Sequence, residues 1–280
     1  EPMSAGRQMG GHFVTHSLND DGSWKDLTIQ KNSSSDISPT ASQMPRMLGL
    51  AQASIIYRSI PELAHKTNFS KDGNEISWGT IGNASTSEGI FFETINAAGV
   101  LQVPIILSVW DDEYGISVHA KHQTTKESIS EILKGYQRDE NHNGFEILKV
   151  QGWDYPSLIE TYEKAADLAR EHHVPVVIHV SQLTQPQGHS SSGSHERYKD
   201  ENRLSWEREF DCIRQMKLWM IAINIASPEE IEEIDIITKK EVLEAKKLAW
   251  NAFQNPIIEE QQSLIQLLEK VSPSCKNSDK

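Results

Sequence analysis

Two short stretches bring together side chains that could hold a cation and a phosphate. Ile81-Gly82-Asn83-Ala84-Ser85-Thr86-Ser87-Glu88-Gly89 reads as a strand end, a tight turn of small residues and a helix start. Ser85 and Glu88 stand at capping-box spacing, and the free amides of such a turn point outward, ready for phosphate oxygens. Taken alone, the stretch reads more simply as a well-capped helix. A second apolar run, Pro104–Trp110, closes in Asp111-Asp112-Glu113-Tyr114-Gly115. Three consecutive acids repel one another; a bound cation would account for them, as would a solvated loop. Asp112 follows Asn83 by 29 positions, one helix and one strand later. Adjacent parallel strands would set both side chains in one crevice, at the strand ends where such sheets take their ligands. An amide oxygen, one carboxylate and a backbone carbonyl, with diphosphate oxygens and water, make an octahedral Mg²⁺ shell.

The elements that position these stretches follow from periodicity. Apolar residues at helical spacing mark Gln43–Ile60, with Pro45 in the first turn. Then come a strand over Glu75–Gly82, a helix over Thr86–Gln102, a strand over Pro104–Trp110 and a helix over Lys126–Gly135. Phe145–Val150 reads as extended, Tyr155–His173 as helix and Val174–Ser181 as a buried strand. This alternation predicts an α/β fold, a doubly wound and mainly parallel sheet. Residues 1–41 are turn-rich, and Gln182–Tyr198 is a polar, mobile surface loop. Residues 202–222 and 227–270 are charge-laced and largely helical, with Ser272–Lys280 as a frayed tail. The expected division is an α/β domain over 1–200 and a helical C-terminal extension over 201–280.

Composition narrows the function classes. The 280 residues, 37% hydrophobic and 24% charged, suffice for one large domain with a buried core. The 27 Lys plus Arg against 40 Asp plus Glu give a net charge of −13, which disfavours nucleic acid as the main partner. Cys212 and Cys275 form no C-x-x-C pair, which suggests a reducing compartment. No run approaches the ~18 apolar residues of a membrane span, and no basic-then-apolar leader opens the chain. The expected location is cytoplasmic, with no membrane association. The opening Glu1-Pro2-Met3, followed at once by a motif-like stretch, reads as a piece of something longer.

Gly82-Asn83-Ala84 followed by Asp111-Asp112 resembles the thiamine-diphosphate signature, usually Gly-Asp-Gly closing in Asn-Asn. Ser87-Glu88-Gly89 and Tyr114-Gly115-Ile116-Ser117 bring the chain closer to one family. It resembles the α-type portion of the decarboxylating dehydrogenase component of 2-oxo acid dehydrogenase complexes. Gly6-Arg7-Gln8-Met9 with His12, the run from Ile37 to Pro45, and Gly188-His189-Ser190 agree with that family in the same order. The resemblance covers roughly residues 6 to 215. Its wording is most similar to a bacterial form of the branched-chain (2-oxoisovalerate) enzyme, in which α and β portions are fused.

The resemblance implies a thiamine-diphosphate-binding fold and a site carried over position by position. Asn83, Asp112 and the Tyr114 carbonyl match Mg²⁺ ligands; Gly82, Ala84 and Ser85 match the turn whose amides hold the diphosphate. Ser38 and Thr40 fall where the family contacts the aminopyrimidine. Ile37, Pro39, Ser42 and Gln43 match a structural potassium-binding turn. His189 matches a loop histidine that reaches the cofactor from above, with His12 as a second catalytic candidate. The exchange of Asp for Asn83 and of Asn for Asp112 keeps one carboxylate in the metal shell, and Ala84 requires a backbone without positive φ. A Tyr-Arg pair on the diphosphate would precede this chain, and neither Arg7 nor Arg46 replaces it. The implied reaction is oxidative decarboxylation of a 2-oxo acid, a branched-chain one favoured, with acyl transfer to the lipoyl domain of an acyltransferase component. The glutamate that faces the aminopyrimidine comes from the β-type portion, so this chain is expected to be inactive without it. A pyruvate or acetoin enzyme, and a catalytically silent fragment or scaffold, stand as alternatives. A hydrolase lacks its G-x-S-x-G elbow, and a nicotinamide enzyme its G-x-G-x-x-G turn.

Overall fold

The computed structural model describes residues 14–34, 37, 39–189 and 193–272. They fall into two units. One comprises 16–32 and 36–223, and the other contains 14–15, 33–34 and the chain from Asn224. The first unit carries the sheet. Its elements run α1 (Met44–Ser59), β1 (Ser77–Gly82), α2 (Gly89–Leu101), β2 (Ile105–Trp110), β3 (Tyr114–Gly115), β4 (Val118–His119), α3 (Ile129–Ile132), β5 (Glu146–Gln151), α4 (Tyr155–His172), β6 (Val176–Ser181), α5 (Glu201–Glu209) and α6 (Cys212–Ala222). Strands β1, β2, β6 and β5 lie side by side in that order, all parallel, while β3 and β4 form a small antiparallel pair.

Helices pack on both faces of the sheet, as a doubly wound fold requires. Met44 and Ala51 of α1, Phe91 and Ile95 of α2 and Ile129 of α3 pack with Ile105, Leu107, Val109 and Val177. Ala165 and Ala169 of α4 pack with Ile106, Val150, Val176, Ile178 and Val180. Covered on both sides, β2 and β6 are mostly apolar rather than alternating, with Ser108 of β2 buried against the Tyr162 hydroxyl. One residue interrupts β6: His179, fully buried.

Two helices are shorter than periodicity suggests. The stretch Thr86–Gln102 begins as a 3₁₀ turn over Ala84–Ser87, breaks at Glu88 (ψ 137°) and becomes α-helical only at Gly89. The expected capping box does not form, because the Glu88 side chain leaves for a partner elsewhere. Within 126–135, only Ile129–Ile132 is α-helix, since Lys126 and Glu127 hold φ of +60° and +56° and forbid an earlier start.

Below the sheet, α1 is fastened to the end of α4. Arg58 donates to the carbonyls of Arg170 (2.8 Å) and Gly73 (3.2 Å), and the His173 ring bonds the Gly73 carbonyl at 3.0 Å. Burial lowers the His173 pKa, so the ring donates as a neutral imidazole rather than serving as a cation on the helix dipole. Gly73 holds φ +68°, and an added Cβ would lie 2.3 Å from the Ser54 carbonyl oxygen. Gly73→Ala is therefore expected to destabilise this unit by about 2–3 kcal/mol or more, read as a lower urea midpoint at unchanged m-value. An unchanged midpoint would show that the join relaxes freely.

The second unit is dominated by α7 (Pro228–Val271), 44 residues long. Ser227 and Glu230 form a full capping box and Pro228 occupies the first turn, which explains its start. No helix among the described residues is long and apolar enough to cross a membrane.

Candidate functional site

Strands β1 and β2 are in register from Ser77 against Ile105 to Gly82 against Trp110, and the Asn83 N–H donates to the Trp110 carbonyl at 3.0 Å. The two motif stretches thus leave the sheet side by side. Above them opens a cavity of about 850 Å³. Thr40, Gly82, Asn83, Ala84, Ser85, Asp112, Tyr114 and His189, all named from the sequence, line it together. Trp110, Ile116, Val118 and Leu183 supply an apolar wall. Ala84 avoids positive φ, so it meets the condition that its substitution for glycine imposes. Gly115 is held to glycine by proximity: a Cβ there would lie 2.6 Å from the Ala84 Cβ.

The three consecutive acids have different fates. Asp111 is buried, with Oδ2 2.9 Å from His179 Nε2, while Ser130 Oγ meets His179 Nδ1 at 2.8 Å. Glu113 pairs with Arg203 of α5. Protein partners therefore account for two of the acids without any bound cation. Among the described residues, the Asp112 side chain accepts only the Tyr114 N–H, at 3.1 Å. Burial raises its pKa above the ordinary carboxylate value, against the opposing pull of that N–H and of Lys199 and Arg203. Beside it, the buried Asn83 Nδ2 has no hydrogen-bond partner among the described residues. Rotating the amide would put the oxygen there instead. An orphan amide and a desolvated carboxylate thus stand side by side on adjacent strand ends, each with hydrogen-bonding capacity unused among the described residues.

Below the turn lies a charged support that sequence reasoning missed. Arg203 donates to the Asp112 carbonyl (2.8 Å) and to Glu207 (2.9 Å), and its guanidinium sits 5.5 Å from the Tyr114 ring centroid. Lys199, more deeply buried than Arg203, donates to the same Glu207 oxygen at 2.7 Å and lies 5.0 Å from the Tyr114 ring centroid. In the sequence, Arg203 and Glu207 look like an ordinary i,i+4 surface pair. The Asp111–His179–Ser130 chain did leave a signal, a lone histidine inside an otherwise apolar strand.

The other expectations divide. Gln43 Nε2 donates to the Ile37 carbonyl (2.9 Å), Arg46 donates to Gln43 Oε1 (3.2 Å), and the Pro39 carbonyl accepts from the Ser42 N–H. These bonds join Ile37 to Gln43 and Pro39 to Ser42, with Arg46 already on the Gln43 side-chain oxygen. His12 and Ser38 lie outside the described residues, as do Ser190–Ser192 of the serine-rich loop and Cys275. His119 uses Nδ1 to cap the turn at Lys121 (3.1 Å), a structural role. No cluster of three His, Cys, Asp or Glu side chains suited to a metal occurs among the described residues.

A parallel α/β sheet with its cleft over two adjacent strand ends defines a protein that takes its ligand at the carboxyl edge. The chain belongs to the Dehydrogenase E1 component family, whose model matches residues 14–257. It is 22% identical to the pyruvate dehydrogenase E1 component subunit alpha of Rickettsia bellii, covering 64% of this chain and 52% of that one. Against the somatic-form mitochondrial counterpart of Pan troglodytes the identity is 28%, over 67% of this chain and 45% of the other. The 2-oxoisovalerate dehydrogenase subunit alpha of Bacillus subtilis is 25% identical, over 90% and 67%. The chain spans about half the length of the two pyruvate dehydrogenase relatives. A transketolase of Campylobacter jejuni overlaps 70% of this chain and 32% of that one at a TM-score of 0.34 and 15% identity, too loose a likeness to argue from.

Proposed function

We propose that this chain supplies the diphosphate- and magnesium-holding half of a thiamine-diphosphate-dependent 2-oxo acid dehydrogenase. The observation that carries the reading is the pairing of the orphan Asn83 amide with the isolated, desolvated Asp112 carboxylate on one cavity wall. Asn83, Asp112 and the Tyr114 carbonyl would hold Mg²⁺, and the turn of Gly82, Ala84 and Ser85 would receive the diphosphate on its backbone amides. Bound thiamine diphosphate supplies the electron sink for decarboxylation. Around it, this chain's residues would bind and orient: Arg203, bonded to the Asp112 carbonyl, would steady the Asp112–Tyr114 turn, and Trp110, Ile116, Val118 and Leu183 would give an apolar wall that a β-type portion could close over. His189, which lines the same cavity, would assist acyl transfer to a lipoyl group. A β-type portion would complete the site, and the motif wording favours a branched-chain 2-oxo acid as substrate.

The test is a calorimetric titration of thiamine diphosphate with Mg²⁺ into the chain, alone and mixed with a β-type partner. Binding that needs Mg²⁺ and is strongest in the mixture supports a half-site. A folded chain that binds in neither state overturns the proposal and favours a silent scaffold. In the assembled enzyme, a kcat/KM for 2-oxoisovalerate below that for pyruvate would overturn the branched-chain assignment.

A further inference from the structure

Strand β6 ends at Ser181, and the next residue redirects the chain. Gln182 holds φ +56°, a left-handed conformation that glycine adopts freely, asparagine and aspartate less often, and other side chains rarely. Leu183, Thr184, Gln185 and His189, which follow it, line the cavity above Asn83 and Asp112. Gln182 itself lines a second cavity, of about 630 Å³, together with Gln151 and Ser181. The left-handed residue is thus the point at which the chain passes from the wall of one cavity to the wall of the other.

A strained backbone persists where its surroundings fix it from several sides, and here they do. Gln182 Oε1 accepts from Gln151 Nε2 at 3.0 Å and from Trp153 Nε1 at 3.2 Å. An indole nitrogen can only donate, so it is the oxygen of the Gln182 amide that faces Trp153. Just before the turn, the Ser181 carbonyl accepts the Gly152 N–H at 2.8 Å; just after it, the Leu183 N–H donates to the Asp111 carbonyl at 3.0 Å. Leu183 also lies close over Gly152, where an added Cβ would come within 2.4 Å of its Cδ2. The Trp153 indole packs in turn on Phe210, ring centroids 5.0 Å apart. One amide oxygen therefore ties the exit of β6 to the exit of β5, at the residue whose conformation aims the segment carrying His189.

We infer that Gln182 is a positioning residue: its side-chain oxygen, clamped by Gln151 and Trp153, holds the left-handed turn that sets Leu183–His189 against the cofactor cavity. The inference rests on the function proposed above, which gives His189 its part in acyl transfer. Standing in the wall of the second cavity, Gln182 acts through that segment rather than on the ligand.

The test compares wild type, Gln182→Leu and Gln182→Glu, each assembled with a β-type portion. Leucine keeps the bulk and loses the acceptor; glutamate keeps an acceptor for both N–H groups. The quantities read are amide hydrogen exchange of residues 183–189, the rate of acyl transfer to a lipoyl domain, and calorimetric affinity for inorganic pyrophosphate with Mg²⁺. In Gln182→Leu, exchange is expected to quicken and acyl transfer to slow by about tenfold each, the effect of losing one or two hydrogen bonds. Pyrophosphate affinity, which depends on Asn83, Asp112 and the turn after β1, is expected to stay at the wild-type value, and Gln182→Glu to match wild type throughout. Unchanged exchange or unchanged acyl transfer in Gln182→Leu overturns the inference. A loss that Gln182→Glu does not rescue overturns it too, since the side-chain oxygen would then not be what holds the turn. So does an equal fall in pyrophosphate affinity, which belongs to a general loosening of the fold. Wild-type enzyme that transfers no acyl group overturns the proposed function instead, and the exchange rates then decide the clamp by themselves.

Discussion

Asp112→Ala is expected to weaken Mg²⁺-dependent binding of thiamine diphosphate to the assembled enzyme by about a hundredfold or more. Removing an outer-shell partner of a metal ligand already costs about 10- to 100-fold, and Asp112 is the one carboxylate of the candidate shell. Among the described residues it is also the only acid of its triplet whose side chain is not hydrogen-bonded to a cation or histidine: Asp111 is committed to His179 and Glu113 to Arg203. Charge accounts for the size of the effect. Burial disfavours the ionised form of Asp112, and a divalent cation at the strand ends reverses that preference. Calorimetry with and without Mg²⁺ reads the result, with Asp111→Asn as the contrast. Asp111→Asn should alter stability more than metal affinity, because its carboxylate faces the buried histidine. Equal affinity in Asp112→Ala and wild type would remove the metal site. Asn83→Asp, which restores a second carboxylate, is expected to bind the metal as well as wild type or more tightly, and loss of binding there would show that the ligand set is misassigned.

The second large effect is on stability. Lys199→Met is expected to destabilise the sheet unit by about 3 kcal/mol, at the lower end of the range for breaking a buried ion pair because Arg203 still reaches Glu207. Both side chains of the Lys199–Glu207 pair are almost wholly buried, and Glu207 Oε2 has no partner among the described residues even in the intact pair. Removing the lysine therefore leaves a partly compensated charge where water cannot reach it. A unit of this size should melt on the order of 10 °C lower. The double change Lys199→Met with Glu207→Met removes the stranded charge as well and is expected to recover much of the loss. A double variant no better than the single one would show that the loss comes from packing on Tyr114 instead.

The alternation of apolar runs and helical periods by itself determined a parallel sheet wound on both faces, since a strand buried on both sides is apolar at nearly every position. It determined the central juxtaposition too. One helix and one strand separate Asn83 from Asp112, and a crossover of that length sets adjacent parallel strand ends together. Local signals were overridden where a side chain had a better distant partner. Ser85 and Glu88 have the spacing of a capping box, yet Glu88 reaches Thr40 and Ala41 and the helix starts later. Only the tertiary structure decided which of three consecutive acids is left for a ligand, because that depends on His179 and Arg203, 68 and 90 positions away from the acids they meet. Periodicity records which face of an element is buried. The partner a charged group meets there is set when two surfaces close on each other, and nothing in the local sequence encodes it.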